Sequence, residues 1–209
     1  MEGFEEINWL WVAIKIIAVI FLVSLNGIYV AAEFALVKVR ETKLQPLLAK
    51  GHRRAKVAKH VVNNLDAFLS ACQLGITLAS LALGWVGEPI FETLLEPVYH
   101  WLHIESETLR TTLSFAVGFS VITVLHIVVG EMAPKTIAIQ KPLPTSLWIA
   151  YPMVWFYRAT YPIVQALNWS SLLMLKMVGI QAASESHDHH SEEEIRLLAV
   201  SYTHLTLPT

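Results

Sequence analysis

WLWVAIKIIAVIFLVSLNGIYVAAEFALV, residues 9–37, holds only two charged side chains, Lys15 and Glu33, and a single amide, Asn26. A helix needs roughly 20 mostly apolar residues to cross the hydrocarbon core of a bilayer, and this stretch exceeds that. A secretory leader would start with basic residues, carry a shorter apolar core and end on small residues. Here the residues before the run are acidic (Glu2, Glu5, Glu6). The run therefore reads as a retained transmembrane helix, and the fold expected is all-α and integral to a membrane.

Orientation follows from what comes next. Lys38, Arg40, Lys43, Lys50, Arg53, Arg54, Lys56 and Lys59 crowd one short connection. Such loops stay in the cytoplasm, which puts the N-terminus outside. A second apolar segment, about 67–87, leads into a connection with Glu88, Glu92, Glu96, Glu105 and Glu107 against Arg110 alone, as suits the outer side. A third, about 111–133, returns to Lys135 and Lys141. The expected residence is the cell inner (plasma) membrane, multi-pass, with the C-terminus cytoplasmic and lipid as the surrounding partner.

Residues 143–180 are apolar but interrupted by Pro144, Pro152, Pro162, Arg158 and Lys176, and rich in Trp and Tyr. Two arrangements fit: a fourth crossing, or interfacial helices, kinked or in a shallow hairpin, at the inner surface where aromatic and basic residues belong. Residues 1–183 thus form one transmembrane domain. From 184 the chain turns polar. Residues 184–200 read as a linker and the start of a further cytoplasmic region, with Ser191 as N-cap and Glu192–Glu194 in a first helical turn. Residues 201–209 continue no pattern and are unassigned. His187, His189 and His190 read as a solvated tract before a metal-binding one.

Composition bounds the function. Of 209 residues, 55% are hydrophobic and 15% charged, against about 25% charged in a soluble domain. Cys72 is the sole cysteine, so there is no disulfide framework or thiolate cluster. No strongly basic surface suggests nucleic acid. No phosphate-cradling glycine loop or nucleophile–base pair suggests an enzyme.

Within the spans the informative groups are the expensive ones, since an ionisable side chain at mid-bilayer costs about 2.5–3.5 kcal/mol on insertion scales. Glu131 lies in Gly130-Glu131-Met132-Ala133-Pro134-Lys135. Pro134 has no N–H to give the carbonyl of Gly130, four residues back. A freed carbonyl then sits beside a carboxylate, oxygen ligands suited to a hard cation such as Mg²⁺. The plainer alternative pairs Glu131 with Lys135 at the membrane edge. Ser70, Gln73, Thr77 and Ser80 share a helix face in the second span. Ala71, Gly75 and Ala79 form a small-residue face suited to close helix packing. Gln73 and Thr77, with Asn26 of the first span, are the other candidate ion ligands. Gly27 would admit a neighbouring backbone, and His126 reads as a packed, hydrogen-bonded histidine.

Three stretches, Leu25–Arg40, Gly75–Pro89 and Gly130–Lys135, together with Ser191–Leu198, resemble the transmembrane module of the CorC/CNNM, or hemolysin-C-related, family. The resemblance implies a homodimer of three-span modules with juxtamembrane helices. It also implies cytoplasmic CBS domains beyond this chain, through which alone nucleotide would bind, and Mg²⁺ or divalent-cation transport with the ion held at Glu131 and the Gly130 carbonyl. Ion-binding members often carry serines where this chain has Val30 and Ala32. Two functions follow as expectations: a divalent-cation transport module, or a non-transporting anchor for regulatory domains.

Overall fold

The computed structural model describes residues 9–179, without the side chains of Glu88 and Pro89. The readings made for 184–200, 201–209 and the histidine tract lie outside the described residues.

All regular structure among the described residues is helical. In chain order the helices are α1 (Trp9–Lys38), α2 (Glu41–Ala49), α3 (Arg53–Asn63), α4 (Leu65–Trp101) and α5 (Glu107–Leu125). A π-helical segment (His126–Met132), α6 (Ala133–Gln140) and α7 (Pro142–Met177) follow. Three runs are long and apolar enough to cross a membrane: α1, α4 and the continuous Glu107–Gln140. These are the three spans the apolar runs predict.

The second span is longer than its apolar core. At 37 residues α4 extends about 55 Å, nearly twice the hydrocarbon thickness, and carries Glu92 and Glu96 past the predicted limit near 87. It packs on α5 beyond that limit: Tyr99 and Ser114 share a buried 2.8 Å hydrogen bond. The turn between them places His103 at φ 54° and is closed by the Arg110 guanidinium donating to the Ile104 carbonyl.

Against α1, the small-residue face of α4 does what its spacing predicts. Ala71 and Ala79 are buried, and a Cβ added to Gly75 would come 2.8 Å from the Tyr29 ring. The basic connection folds as two short helices. Leu44, Ala55, Ala58 and Val61 turn inward and are fully buried, leaving the lysines and arginines on the outside. Leu44, Ala55 and Ala58 form one cluster with Val39 and with Ala150 of α7, and Lys59 and Glu41 tie α3 to α2 at 3.1 Å.

Over 143–180, where the sequence leaves a fourth crossing or interfacial helices open, α7 is one helix running through both Pro152 and Pro162. Each proline deletes an N–H and crowds the carbonyl four residues earlier. Burial offsets this: Ile149, Met153 and Val164 pack into a core with Leu36, Phe68 and Cys72. The Phe156 and Tyr157 rings lie 4.7 Å from Tyr29 and 4.8 Å from Phe68. The chain divides after Ala166 into two units, and the packing above belongs to the first.

Candidate cation site

The site begins with Pro134. Ordinary α-helical pairing cannot pass it, and the third span answers by widening: from His126 to Met132 it is π-helical, and the Ala133 N–H bonds the Val128 carbonyl five residues back. α6 then restarts with Pro134 in its first turn, where a missing N–H costs little. Single π turns of this kind are frequent at functional positions.

The carbonyl expected to be free at Gly130 is not left bare. It accepts a buried 2.9 Å hydrogen bond from Asn26 Nδ2 of α1. Asn26, 1% exposed, accepts in turn at Oδ1 from the Ser80 hydroxyl of α4, at 3.4 Å. Ser80 Oγ also lies 3.2 Å from His126 Nε2 on the π segment. Amide, hydroxyl, imidazole and carbonyl from all three spans thus meet at one level.

Two glycines make the approach possible. A Cβ on Gly27 would sit 2.9 Å from Pro134 Cγ. A Cβ on Gly130 would sit 3.1 Å from His126 Cδ2 and 3.2 Å from Asn26 Nδ2. The Gly27 contact is closer than a side-chain carbon tolerates and those at Gly130 are tighter than usual, so the absence of side chains lets α1 lie close against the π segment and α6.

Of the five residues singled out in the sequence, Asn26 and Gly130 are brought together. Glu131 is next in chain but exposed on the protomer. It does not pair with Lys135, whose ammonium sits 4.5 Å from the Phe34 ring centroid of α1, a cation–π contact. Among the described residues Glu131 has no basic partner within ion-pair distance. Gln73 and Thr77 are exposed, and Thr77 Oγ1 donates to the Gln73 carbonyl of its own helix at 2.8 Å, so neither joins the constellation. Ser80, on the same nominal face, does. It lies about 10 Å along α4 from Gln73, at the level where His126 closes over the face. His126 is half-buried and hydrogen-bonded, as read from sequence.

The oxygens that gather here are neutral: the Gly130 carbonyl, Asn26 Oδ1 and Ser80 Oγ, with the Glu131 carboxylate alongside in sequence. Among the described residues no three His, Cys, Asp or Glu side chains cluster as a metal cage. Oxygens of this kind are the ligands a hard cation that keeps part of its water takes. Val30 and Ala32, buried in α1, add no oxygen.

Residues 16–204 match the family model described as the Cyclin M transmembrane N-terminal domain, CNNM. The UPF0053 protein YugS of Bacillus subtilis (strain 168) is 45% identical over 185 residues, covering 88% of this chain and 43% of the relative. UPF0053 protein YhdT of the same organism is 46% identical over 177 residues, covering 85% of this chain and 38% of the relative. The uncharacterized protein Rv1841c of Mycobacterium tuberculosis (strain ATCC 25618 / H37Rv) is 30% identical over 170 residues, covering 81% and 48%. The chain spans less than half the length of the curated relatives it matches. With three spans in order, a π turn at Gly130-Glu131 and a family match over almost all of its length, the chain belongs to the CNNM transmembrane-domain family.

Proposed function

We propose that this chain is the membrane module of a divalent-cation transporter, with Mg²⁺ as its cargo. The observation that supports this is the π turn that presents the Gly130 carbonyl to Asn26 of the first span, whose Oδ1 accepts in turn from Ser80 of the second. An ion reaching Gly130 displaces the Asn26 N–H, and a half-turn of the amide offers Oδ1 in its place. Glu131 supplies the net negative charge the neutral ligands lack. Because Mg²⁺ dehydrates reluctantly, a site with few protein ligands and retained water is chemically reasonable.

Glu131, Gln73 and Thr77 are exposed on a single protomer, in spans where polar groups are costly. A second copy covering them is the homodimer this reading requires. The basic α2–α3 connection belongs in the cytoplasm by the positive-inside rule, with the N-terminus outside and the protein in the plasma membrane. On this reading nucleotide would enter only through cytoplasmic CBS domains beyond this chain.

A second reading, a non-transporting dimeric anchor, is favoured by one specific observation. The Asn26 amide nitrogen, a donor, occupies the Gly130 carbonyl, and Val30 and Ala32 offer nothing in exchange. Thermal unfolding of the detergent-solubilised chain separates the two. Transport predicts a saturable rise in midpoint with MgCl₂ beyond that of NaCl at equal ionic strength, about 2.7 kcal/mol at one hundred times the dissociation constant. No rise beyond the NaCl control would leave the anchor reading in possession.

A further inference from the structure

Between α1, α6 and the start of α7 runs an open groove of about 500 Å³, walled by Gly27, Ile28, Ala31, Pro134, Ile137 and Trp148. Its size falls within the range of roughly 300–1,000 Å³ typical of small-molecule sites. Its polarity is confined to one end. The two hydroxyls on its wall are spent on their own helices, Ser24 donating to the Ile20 carbonyl at 2.7 Å and Thr145 to the Lys141 carbonyl at 2.7 Å. What remains is a hydrocarbon trough with one cation, Lys141, at its rim.

The depth of that rim is fixed by packing. Leu143 and Leu147, just beyond Lys141, pack on the cluster of Val39, Leu44 and Ala55 that carries the basic α2–α3 helices. Lys141 therefore sits at headgroup level on the side of the positive connection, while Gly27, Ile28 and Ser24 lie deeper along α1. Among the described residues Lys141 has no carboxylate within ion-pair distance. An aqueous anion would match Lys141 but not the trough. A neutral lipid or an apolar helix would match the trough but not Lys141.

We propose that this groove seats one acyl chain of an anionic phospholipid from the leaflet on the α2–α3 side, its phosphate meeting the Lys141 ammonium. The assignment rests on the membrane fold alone and holds whether or not the module transports ions. One lysine near an anionic surface is worth about a fivefold preference for charged lipid.

Native mass spectrometry of the delipidated chain in detergent, re-supplied with phosphatidylglycerol and phosphatidylcholine of identical chains, tests this. The wild type is expected to hold one phospholipid with about fivefold preference for phosphatidylglycerol. Lys141→Gln should bring the preference to parity. Lys50→Gln, which removes a cation just past the end of α2 and away from the groove, should leave it unchanged. Ala31→Phe, which fills the trough, should remove both lipids. If that variant fails to fold, the surface change Lys141→Gln decides alone. No retained lipid in the wild type, equal preference in wild type and Lys141→Gln, or a lipid-free second copy of the chain lost in Ala31→Phe would each overturn the assignment.

Discussion

Glu131→Gln is expected to reduce Mg²⁺ flux through liposomes reconstituted with the chain to the level of protein-free liposomes, while the apo protein unfolds at the same temperature or slightly higher. The substitution keeps shape and hydrogen-bonding capacity and deletes one negative charge. The other oxygens at the π turn are neutral dipoles, so that carboxylate is the one net charge the proposed site offers a dication. In a partly desolvated setting, at an effective dielectric near 20, a unit charge pair at 4 Å is worth about 4 kcal/mol, and the dication feels twice that. The apo state behaves oppositely: Glu131 has no described basic partner, and a carboxylate near the end of a span carries a burial cost that the neutral amide lowers. Stopped-flow measurement with an entrapped Mg²⁺ indicator, paired with thermal unfolding, reads both signs. Flux retained in Glu131→Gln, or a folding defect that accounts for lost flux, would speak against the role assigned to it.

Gly27→Leu should damage the fold severely. Its first side-chain carbon would fall 2.9 Å from Pro134 Cγ, with the Val129 and Gly130 carbonyls at 3.6 and 3.7 Å. Pro134 is a rigid ring inside a helix and cannot swing aside, so α1 and α6 must separate. Separation breaks the Asn26–Gly130 hydrogen bond and leaves a buried carbonyl unpaired. Overpacking costs about 1–3 kcal/mol and the lost bond about 1 more. At 2–4 °C per kcal/mol for a chain of this size, the midpoint should fall by roughly 5–15 °C, measured by thermal challenge and size-exclusion chromatography. Gly84→Leu is the matched control: it lies in α4, yet a Cβ there meets nothing within 4 Å, and its midpoint should stay within about 2 °C of wild type.

Some of this architecture is legible in the residues because bilayer physics leaves few alternatives. The apolar run 9–37 had to be a span, and Ala71-Gly75-Ala79 had to be a contact face. Pro134 had to disturb the helix at Gly130. Other features depend on neighbours that periodicity does not encode. Gln73 and Ser80 share a nominal face of α4, yet only Ser80 lies at the level where His126 arrives, so spacing alone could not separate pathway from surface. Nor does a proline say how its defect is repaired. A break and a π turn are both open to the sequence; here the π turn leaves the Gly130 carbonyl to the Asn26 amide, which donates to it in a buried hydrogen bond. Nor do Pro152 and Pro162 say whether the chain stays helical through them: Ile149, Met153 and Val164 bury enough surface to keep one helix across both.

The most direct measurement is an anomalous-difference map from crystals of the chain grown with Mn²⁺ in place of Mg²⁺. The proposal places a peak at about 2.0–2.3 Å from the Gly130 carbonyl oxygen, with the Asn26 amide turned to present oxygen, and predicts its disappearance in Glu131→Gln. A map with no peak among the three spans, and Asn26 Nδ2 still on the Gly130 carbonyl at saturating Mn²⁺, would contradict it.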